Sequence, residues 1–492
     1  MAGARFGSRM GMMLVMLGMA VGTGNIWRFP RIAAQNGGGE FLVAWVVFLF
    51  AWSIPLVLLE FGMGRKLRCG PIRAFGTLLG PRFAWMGSFC VFVTAAIAFY
   101  YSVVAGWTFR FAGASLVGEL QGTDPGAFWE SFTTSWWPIL PHALAVGFAT
   151  IVVARGVNSI ERVAKVLMPA LLVLVLILAG RALTLPGAGD GLDFLFSVDW
   201  SALGNPRLWV EALTQNAWDT GAGWGLVLCY AAYLREKEDT VQNAFVLPTA
   251  NNLISLIAGV MVMCTVFSMV SDAAAREEIF KESNAGLTFI EMPKLFAEML
   301  GGRWLMVLFF TALAFAAVTS LISMFEVVSR ALVDAGVERT RAVYMVGAAV
   351  FCFGLPSAVF IEFLNNQDWV WGVALMLSGL FFAIAGIACK PRAFREEHLN
   401  HADSKWHVGR WWDFVIGILV PVQAVVLFVW LLLDVMLKEP GPGEVKELWW
   451  DPFGKGNVGT VLFQVGLVLF LLILANRWIA RRSLREEPET KA

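Results

Sequence analysis

The stretch Gly18-Met19-Ala20-Val21-Gly22-Thr23-Gly24-Asn25-Ile26-Trp27-Arg28-Phe29-Pro30 is the first in the chain whose residue types promise chemistry. It lies in an apolar span beginning near Met10, yet it brings in glycines, an amide, an arginine and a proline. An interior glycine weakens a helix by about 1 kcal/mol relative to alanine, and the closing Pro30 predicts a further break. A helix interrupted at membrane depth bares N–H and C=O groups that only protein, ions or a polar ligand can satisfy. The stretch therefore predicts a binding site, with close packing through small residues as the structural alternative.

A second stretch repeats the anomaly. Gln215-Asn216-Ala217-Trp218-Asp219-Thr220-Gly221-Ala222-Gly223-Trp224-Gly225 puts three glycines, an acid and two tryptophans inside the sixth apolar span. Matched glycine-interrupted helices in two five-helix halves point to a transporter site at an inverted-repeat interface. An odd number of helices per repeat turns the second half upside down, so the two broken helices meet antiparallel over one pocket. Two matched breaks weigh against packing glycines as the explanation of either.

The elements that must hold these stretches are membrane helices. The chain of 492 residues is 58% hydrophobic and only 15% charged, with a mean hydropathy of +0.68, which excludes a soluble multidomain protein. Apolar stretches of the roughly 20 residues a bilayer requires fall near 10–33, 40–63, 84–117, 140–155, 163–184, 207–234, 243–271, 303–334, 341–362, 368–389, 412–437 and 457–479. The expected fold is thus an all-α integral membrane protein of twelve spans. Basic loops follow spans 2, 4 and 10 (Arg65, Lys66, Arg68, Arg73 and Arg82; Arg155, Arg162 and Lys165; Lys390, Arg392, Arg395, Lys405 and Arg410), and the tail Arg477, Arg481, Arg482 and Arg485 agrees with them. Opposite loops carry Glu119, Asp124 and Glu130, or Asp190, Asp193 and Asp199, so both termini are expected in the cytoplasm, and the clusters 122–126 and 439–443 read as extracellular turns. The residues before Arg9 are too short, and those after it too broken, for a cleavable signal. Six scattered cysteines suggest neither disulfides nor a metal site. Zero net charge argues against nucleic acid as a partner.

The first stretch, with Asn36-Gly37-Gly38-Gly39 and Ile54-Pro55-Leu56-Val57-Leu58-Leu59-Glu60-Phe61-Gly62-Met63-Gly64-Arg65, closely resembles the signature of the neurotransmitter:sodium symporter family. The resemblance runs through all twelve spans. It implies a leucine-transporter-like 5+5 inverted repeat with helices 1 and 6 unwound: residues 1–184 as the first repeat, 185–390 as the second, and 391–492 as helices 11 and 12 with the tail. It also implies two sodium sites, since sodium is a hard cation that takes carbonyls, amides and hydroxyls. The first would use the Ala20 carbonyl, the amides of Asn25 and Asn251, and Asp219. The second would use the carbonyls of Gly18, Val21 and Ala316 with the hydroxyls of Thr319 and Ser320, although a Thr-Ser pair by itself usually bonds its own preceding turn.

Relatives usually have Ser or Thr where this chain has Asp219. The chloride-dependent ones hold the anion beside this site with a tyrosine, a glutamine, that hydroxyl and a serine, and the matching positions here are Trp45, Gln215, Asp219 and Ser255. An unpaired charge at membrane depth is costly, so Asp219 is expected to supply the fixed negative charge and no chloride is expected. A protonated Asp219 that only hydrogen-bonds is the alternative. By the same resemblance, the backbone of Gly22, Thr23 and Gly24, with the Tyr101 hydroxyl, would hold a carboxylate at a half-helix N-terminus. Carbonyls near Met19, Ala20 and Trp218 would accept from an ammonium. Monoamine carriers have an aspartate at the position of Gly22, so an amino acid is expected here, with Asp219 as a possible counter-ion to a bare amine.

The pocket wall is expected to include Met19, Ile97, Tyr101, Trp218, Gly221, Trp224, Ser320 and Met324. Two indoles argue for a small side chain, and Gly221 leaves room for an aromatic one. Arg28 and Asp368 match an outer gate, and Arg5 or Arg9 with Asp334 and Tyr233 an inner one. Glu60 is placed to cap the unwound N–H groups of helix 6, because a carboxylate accepts several such bonds. Glu326 is a further intramembrane acid. The expected activity is sodium-driven import of a neutral amino acid across the cell (inner) membrane by alternating access. A non-transporting sensor on the same fold is the rival from another class. An enzyme is not expected, since no HExxH, P-loop or Gly-x-Ser-x-Gly occurs.

Overall fold

Two of the membrane-crossing helices do not run through. The computed structural model describes residues 5–235, 238–401, 404–437 and 448–484. Helix α1 is split into α1a (Arg9–Ala20) and α1b (Thr23–Gln35), which bend by 50° at Val21 and Gly22. Helix α6 is split into α6a (Pro206–Asp219) and α6b (Leu226–Ala231). The other spans are α2 (Gly39–Leu67), α3 (Ala84–Val117), α4 (Ile139–Ala154), α5 (Val157–Leu183), α7 (Thr240–Met269), α8 (Gly302–Asp334), α9 (Arg339–Val359), α10 (Ile361–Ala388), α11 (Trp411–Leu433) and α12 (Val458–Ser483). Short helices such as Pro125–Thr133, Ala188–Phe196 and Ala273–Lys281 cover one face, and Pro71–Leu78 and 391–399 the other. No strand occurs among the described residues. The twelve-span, all-α expectation is met; the turn expected at 439–443 and Arg485 of the tail lie outside the described residues.

Burial separates scaffold from periphery. In α3, α8 and α10, 78% of the most apolar window is buried in protein, against 28% in α11 and α12. The first group forms the interior wall, while the second turns Leu, Val and Phe side chains outward, as a lipid-facing helix must. Helix α8 packs along α3 and crosses α1a and α5. Gly18 marks that crossing: a Cβ built there would lie 3.0 Å from Thr319 Cβ and 3.1 Å from Met168 Sδ.

Two expectations need correction. Pro30 does not break the chain; α1b continues through it to Gln35. A proline removes one helical hydrogen bond, and the burial of Phe29, Pro30 and Ile32 outweighs that loss. The tenth span starts at Ile361, well before the expected 368, so Asp368 stands two turns inside the helix. The polar run Asn366-Gln367 that hid this start is tied to α12, with Asn366 Nδ2 lying 3.5 Å from Thr460 Oγ1 and Gln367 Nε2 donating to Gln464 Oε1 at 3.2 Å.

Candidate functional site

The break in α6 is built by glycine conformation. Gly221, Gly223 and Gly225 have φ of +71°, +83° and +78°, a region that side-chain-bearing residues avoid. At Gly223 the constraint is also spatial, because a Cβ would come 2.8 Å from Gly379 Cα of α10. The bared backbone is then satisfied from neighbouring helices. Glu60, fully buried on α2, accepts from Gly223 N at 2.7 Å through one oxygen and from Leu228 N at 3.0 Å through the other. Ser378 donates to the Gly223 carbonyl at 2.6 Å and Thr94 to that of Trp224 at 3.2 Å.

In α1 the break is held open by Asn25. Its Oδ1 accepts from Gly22 N at 2.8 Å, closing the start of α1b, while its Nδ2 donates to Asn251 Oδ1 at 2.9 Å and to Ser255 Oγ at 2.7 Å. Ser255 in turn lies 3.5 Å from Asp219 Oδ2, to which Gln215 Nε2 donates at 3.2 Å. Asp219 Oδ1 is buried with no hydrogen-bond partner. Asn25, Asn251, Ser255, Gln215 and Asp219 thus form one connected cluster of oxygen-bearing side chains from α1, α7 and α6a, beside the broken end of α1a at Ala20. Trp45, by contrast, contributes its backbone: its carbonyl accepts from Asn216 Nδ2 at 2.9 Å, and its indole packs 4.6 Å from the Phe29 ring.

A second cluster joins α1a to α8. The Ser320 hydroxyl lies 3.3 Å from the carbonyl oxygens of Gly18 and Val21 and 3.4 Å from that of Met19. Thr319 Oγ1 donates to Phe315 O at 2.9 Å and lies 3.1 Å from Ala316 O. Threonine therefore bonds its own helix, whereas serine reaches across. A single hydroxyl proton serves one of three carbonyls at a time; the oxygen surplus that remains suits a hard cation.

Between the clusters, Thr23 N donates to the Tyr101 hydroxyl at 3.2 Å. A Cβ at Gly24 would meet nothing within 4 Å, so this N-terminal turn of α1b borders open space. Gly22 is the opposite case, since a Cβ there would lie 3.1 Å from both Ser320 Oγ and Tyr101 Oη. Trp218 and Trp224 meet edge to face at 5.8 Å, and Trp224 is tied back by its Nε1 to Ala217 O at 3.2 Å. A Cβ at Gly221 would lie 3.2 Å from Met19 Cε. Ile97, Trp224 and Met324 are buried.

These broken helices and oxygen clusters can be set against known proteins. The model of the sodium:neurotransmitter symporter family matches residues 4–135 and 130–439. The chain belongs to this family. It is 30% identical over 437 residues to an uncharacterised sodium-dependent transporter of Methanocaldococcus jannaschii, covering 84% of this chain and 87% of that one. It is 27% identical over 432 residues to the sodium-dependent serotonin transporter of Drosophila melanogaster, covering 78% and 69%. The crystal structure of MhsT in complex with L-phenylalanine superposes with a TM-score of 0.77 at 29% identity, over 86% of this chain and 99% of that one. The protein is accordingly a sodium-dependent membrane transporter and not an enzyme.

In this symporter the two ends of the pathway differ. On the side where α1a begins, Phe6 packs against Tyr230 and Tyr233, and Glu161 of α5 accepts from Gly7 N at 2.6 Å and Ser8 N at 3.1 Å. Arg235 donates to the carbonyls of Phe6 and Gly7. Tyr233 donates to Glu326 at 2.6 Å, and Glu326, fully buried, pairs with Arg339 at 2.6 Å. Of its two expected partners, Arg5 and Arg9, Asp334 does not pair with Arg9. It is taken by Arg330, one turn back on α8, at 2.9 Å and by Gly70 N at 2.6 Å, while Arg9 turns to Gln242 Oε1 at 2.5 Å. At the other end no ion pair joins Arg28 to Asp368 among the described residues. Arg28 Nη1 donates instead to Gln215 Oε1 at 2.5 Å, and Asp368 is exposed.

Sequence patterns do not single out several supporting residues. Ser53, Asn216 and Thr220 form a buried chain behind the α6 break, with Ser53 Oγ donating to Asn216 Oδ1 at 3.2 Å and Thr220 Oγ1 lying 3.1 Å from Ser53 Oγ. Polar side chains at membrane depth are the one signal that could have found them. The Gly22 geometry yields a test: Gly22→Ala should weaken substrate binding by about tenfold or more, the ~1.4 kcal/mol of a displaced Tyr101 or Ser320 contact. Equilibrium binding of the transported substrate checks this, and unchanged affinity would contradict it.

Proposed function

We propose that this symporter imports a neutral amino acid with sodium by alternating access, without chloride. In this reading Ala20, Asn25, Asn251 and Asp219 bind the first sodium ion, and Gly18, Val21, Ala316, Thr319 and Ser320 the second. The substrate carboxylate takes the start of α1b at Gly22, Thr23 and Gly24 with Tyr101, and the ammonium takes carbonyls near Met19, Ala20 and Trp218. The termini face the cytoplasm, the side on which the basic loops lie, and Arg28 and Asp368 border the outer vestibule.

The observation that carries the reading is the unpartnered Oδ1 of Asp219 within the Asn25–Asn251–Ser255 cluster. It puts a fixed carboxylate where chloride-dependent relatives have a hydroxyl beside their anion. Glycine at position 22 offers no acidic side chain of its own, which supports a substrate that brings its own carboxylate. The phenylalanine bound by MhsT supports the amino-acid class. The paired indoles of Trp218 and Trp224 favour a small side chain within that class.

The test is thermal stability of the purified transporter across neutral amino acids, in sodium and in potassium. A ligand at a hundred times its Kd adds about 2.7 kcal/mol, and this stabilisation should appear with a neutral amino acid only when sodium is present. Equal shifts in potassium, or shifts with carboxylate-free amines alone, would overturn the proposal.

A further inference from the structure

The last two turns of α12 carry Arg477 and Arg481, four residues apart and therefore on one face. That face meets the start of α3. Asn476 rivets the two: its Nδ2 lies 3.1 Å from the carbonyls of both Pro81 and Arg82, and its Oδ1 accepts from Trp85 N at 2.9 Å. The junction leaves a cavity of about 400 Å³, lined by Arg82, Arg477, Arg481 and Asn476 with apolar walls from Pro81 and Leu484.

Among the described residues the charge there is unbalanced. None of the three arginines has a carboxylate partner among the described residues, and the cavity lining holds no acid. The C-terminal end of α12 offsets only about half a charge, and the N-terminus of α3 adds positive potential of its own. The level in the bilayer is marked by Trp478, 64% exposed, and by Leu474, 65% exposed, on the adjoining surface of α12. An exposed tryptophan beside arginines is the pattern of the membrane–water interface. Guanidinium groups match phosphate oxygens in pairs, and basic pockets between helices on this side of a membrane suit anionic headgroups.

We propose that this cavity binds the phosphate of an anionic phospholipid, whose acyl chains run along the exposed apolar side of α12. The site lies apart from the transport pathway and ties α12 to α3, one of the interior helices. Arg82, Arg477 and Arg481 hold the headgroup, and Asn476 keeps the two backbones at the spacing that creates it.

The experiment is lipid retention by native mass spectrometry of the full-length, delipidated protein, with phosphatidylglycerol, phosphatidylcholine or inorganic phosphate added. Phosphatidylglycerol should be retained and phosphatidylcholine not, and millimolar phosphate should not displace it. Each arginine removed should cost about fivefold in retention, so both Arg477→Gln/Arg481→Gln and Arg82→Gln should bind less. Arg482→Gln is the control: Arg482 lies over the Trp478 ring at 5.7 Å, outside the cavity lining, and its loss removes the same charge. Arg82→Gln, on a different element, keeps the test decisive should the double variant fail to fold. Equal loss in Arg482→Gln, wild-type retention in the cavity variants, or full competition by inorganic phosphate would overturn the proposal.

Discussion

Asp219→Asn is expected to lower sodium-driven uptake by one to two orders of magnitude, read as a rise in the sodium concentration that supports half-maximal transport. The side chain keeps its size and its bond to Gln215, so the variant removes little besides charge. A loss of 10- to 100-fold corresponds to about 1.4–2.8 kcal/mol, a modest fraction of the interaction between unit charges a few ångströms apart in a protein interior. Asp219→Ser is the complementary variant. It restores the hydroxyl that chloride-dependent relatives have there, beside Gln215 and Ser255, which this chain retains. Uptake by that variant should be weak in gluconate and should recover on adding chloride. Trp45 in place of a tyrosine hydroxyl should keep the recovery partial. A serine variant indifferent to chloride, with wild-type sodium dependence, would remove Asp219 from the ion site.

The second large effect should come from Glu60→Gln. One carboxylate oxygen accepts from the unwound backbone at Gly223 and the other from the first turn of α6b at Leu228, and an amide turns one of those acceptors into a donor facing a donor. A hydrogen bond to a charged group contributes about 1.5–3 kcal/mol, and a buried N–H left without a partner costs about 1–3 kcal/mol more. The variant should therefore lose thermal stability in detergent and lose substrate binding with it, since Trp218 and Asp219 sit at the edge of the same break. Wild-type stability and binding in Glu60→Gln would mean that the break is held by other groups, Ser378 and Thr94 first among them.

Much of this architecture is legible in the amino-acid sequence, for a physical reason. Lipid offers no hydrogen bonds, so every glycine, amide or acid inside an apolar span has to be answered by another residue. Gly22, Asn25, Asp219, Gly221 and Glu60 stand out against a uniformly apolar background, and the structure finds each at or against a helix break. Local propensity reads less well where packing decides. Pro30 looks like a stop and is carried within α1b. The polar start of α10 looks like a loop because Asn366 and Gln367 find their partners on α12, far away in sequence. The same holds for Asp334: Arg9 and Arg330 are both available, and only the fold shows that Arg330 occupies it. The Ser53–Asn216–Thr220 chain is legible only in part: Asn216 and Thr220 fall inside the second anomalous stretch, but only the fold shows that Ser53 of α2 joins them.

The most direct measurement is uptake of the stabilising amino acid into proteoliposomes under an inward sodium gradient, with chloride replaced by gluconate on both sides. Uptake is predicted to persist at close to its rate in chloride and to collapse when the sodium gradient is removed. Transport that stops without chloride, or that continues without sodium, would contradict sodium-coupled symport with Asp219 as the fixed charge.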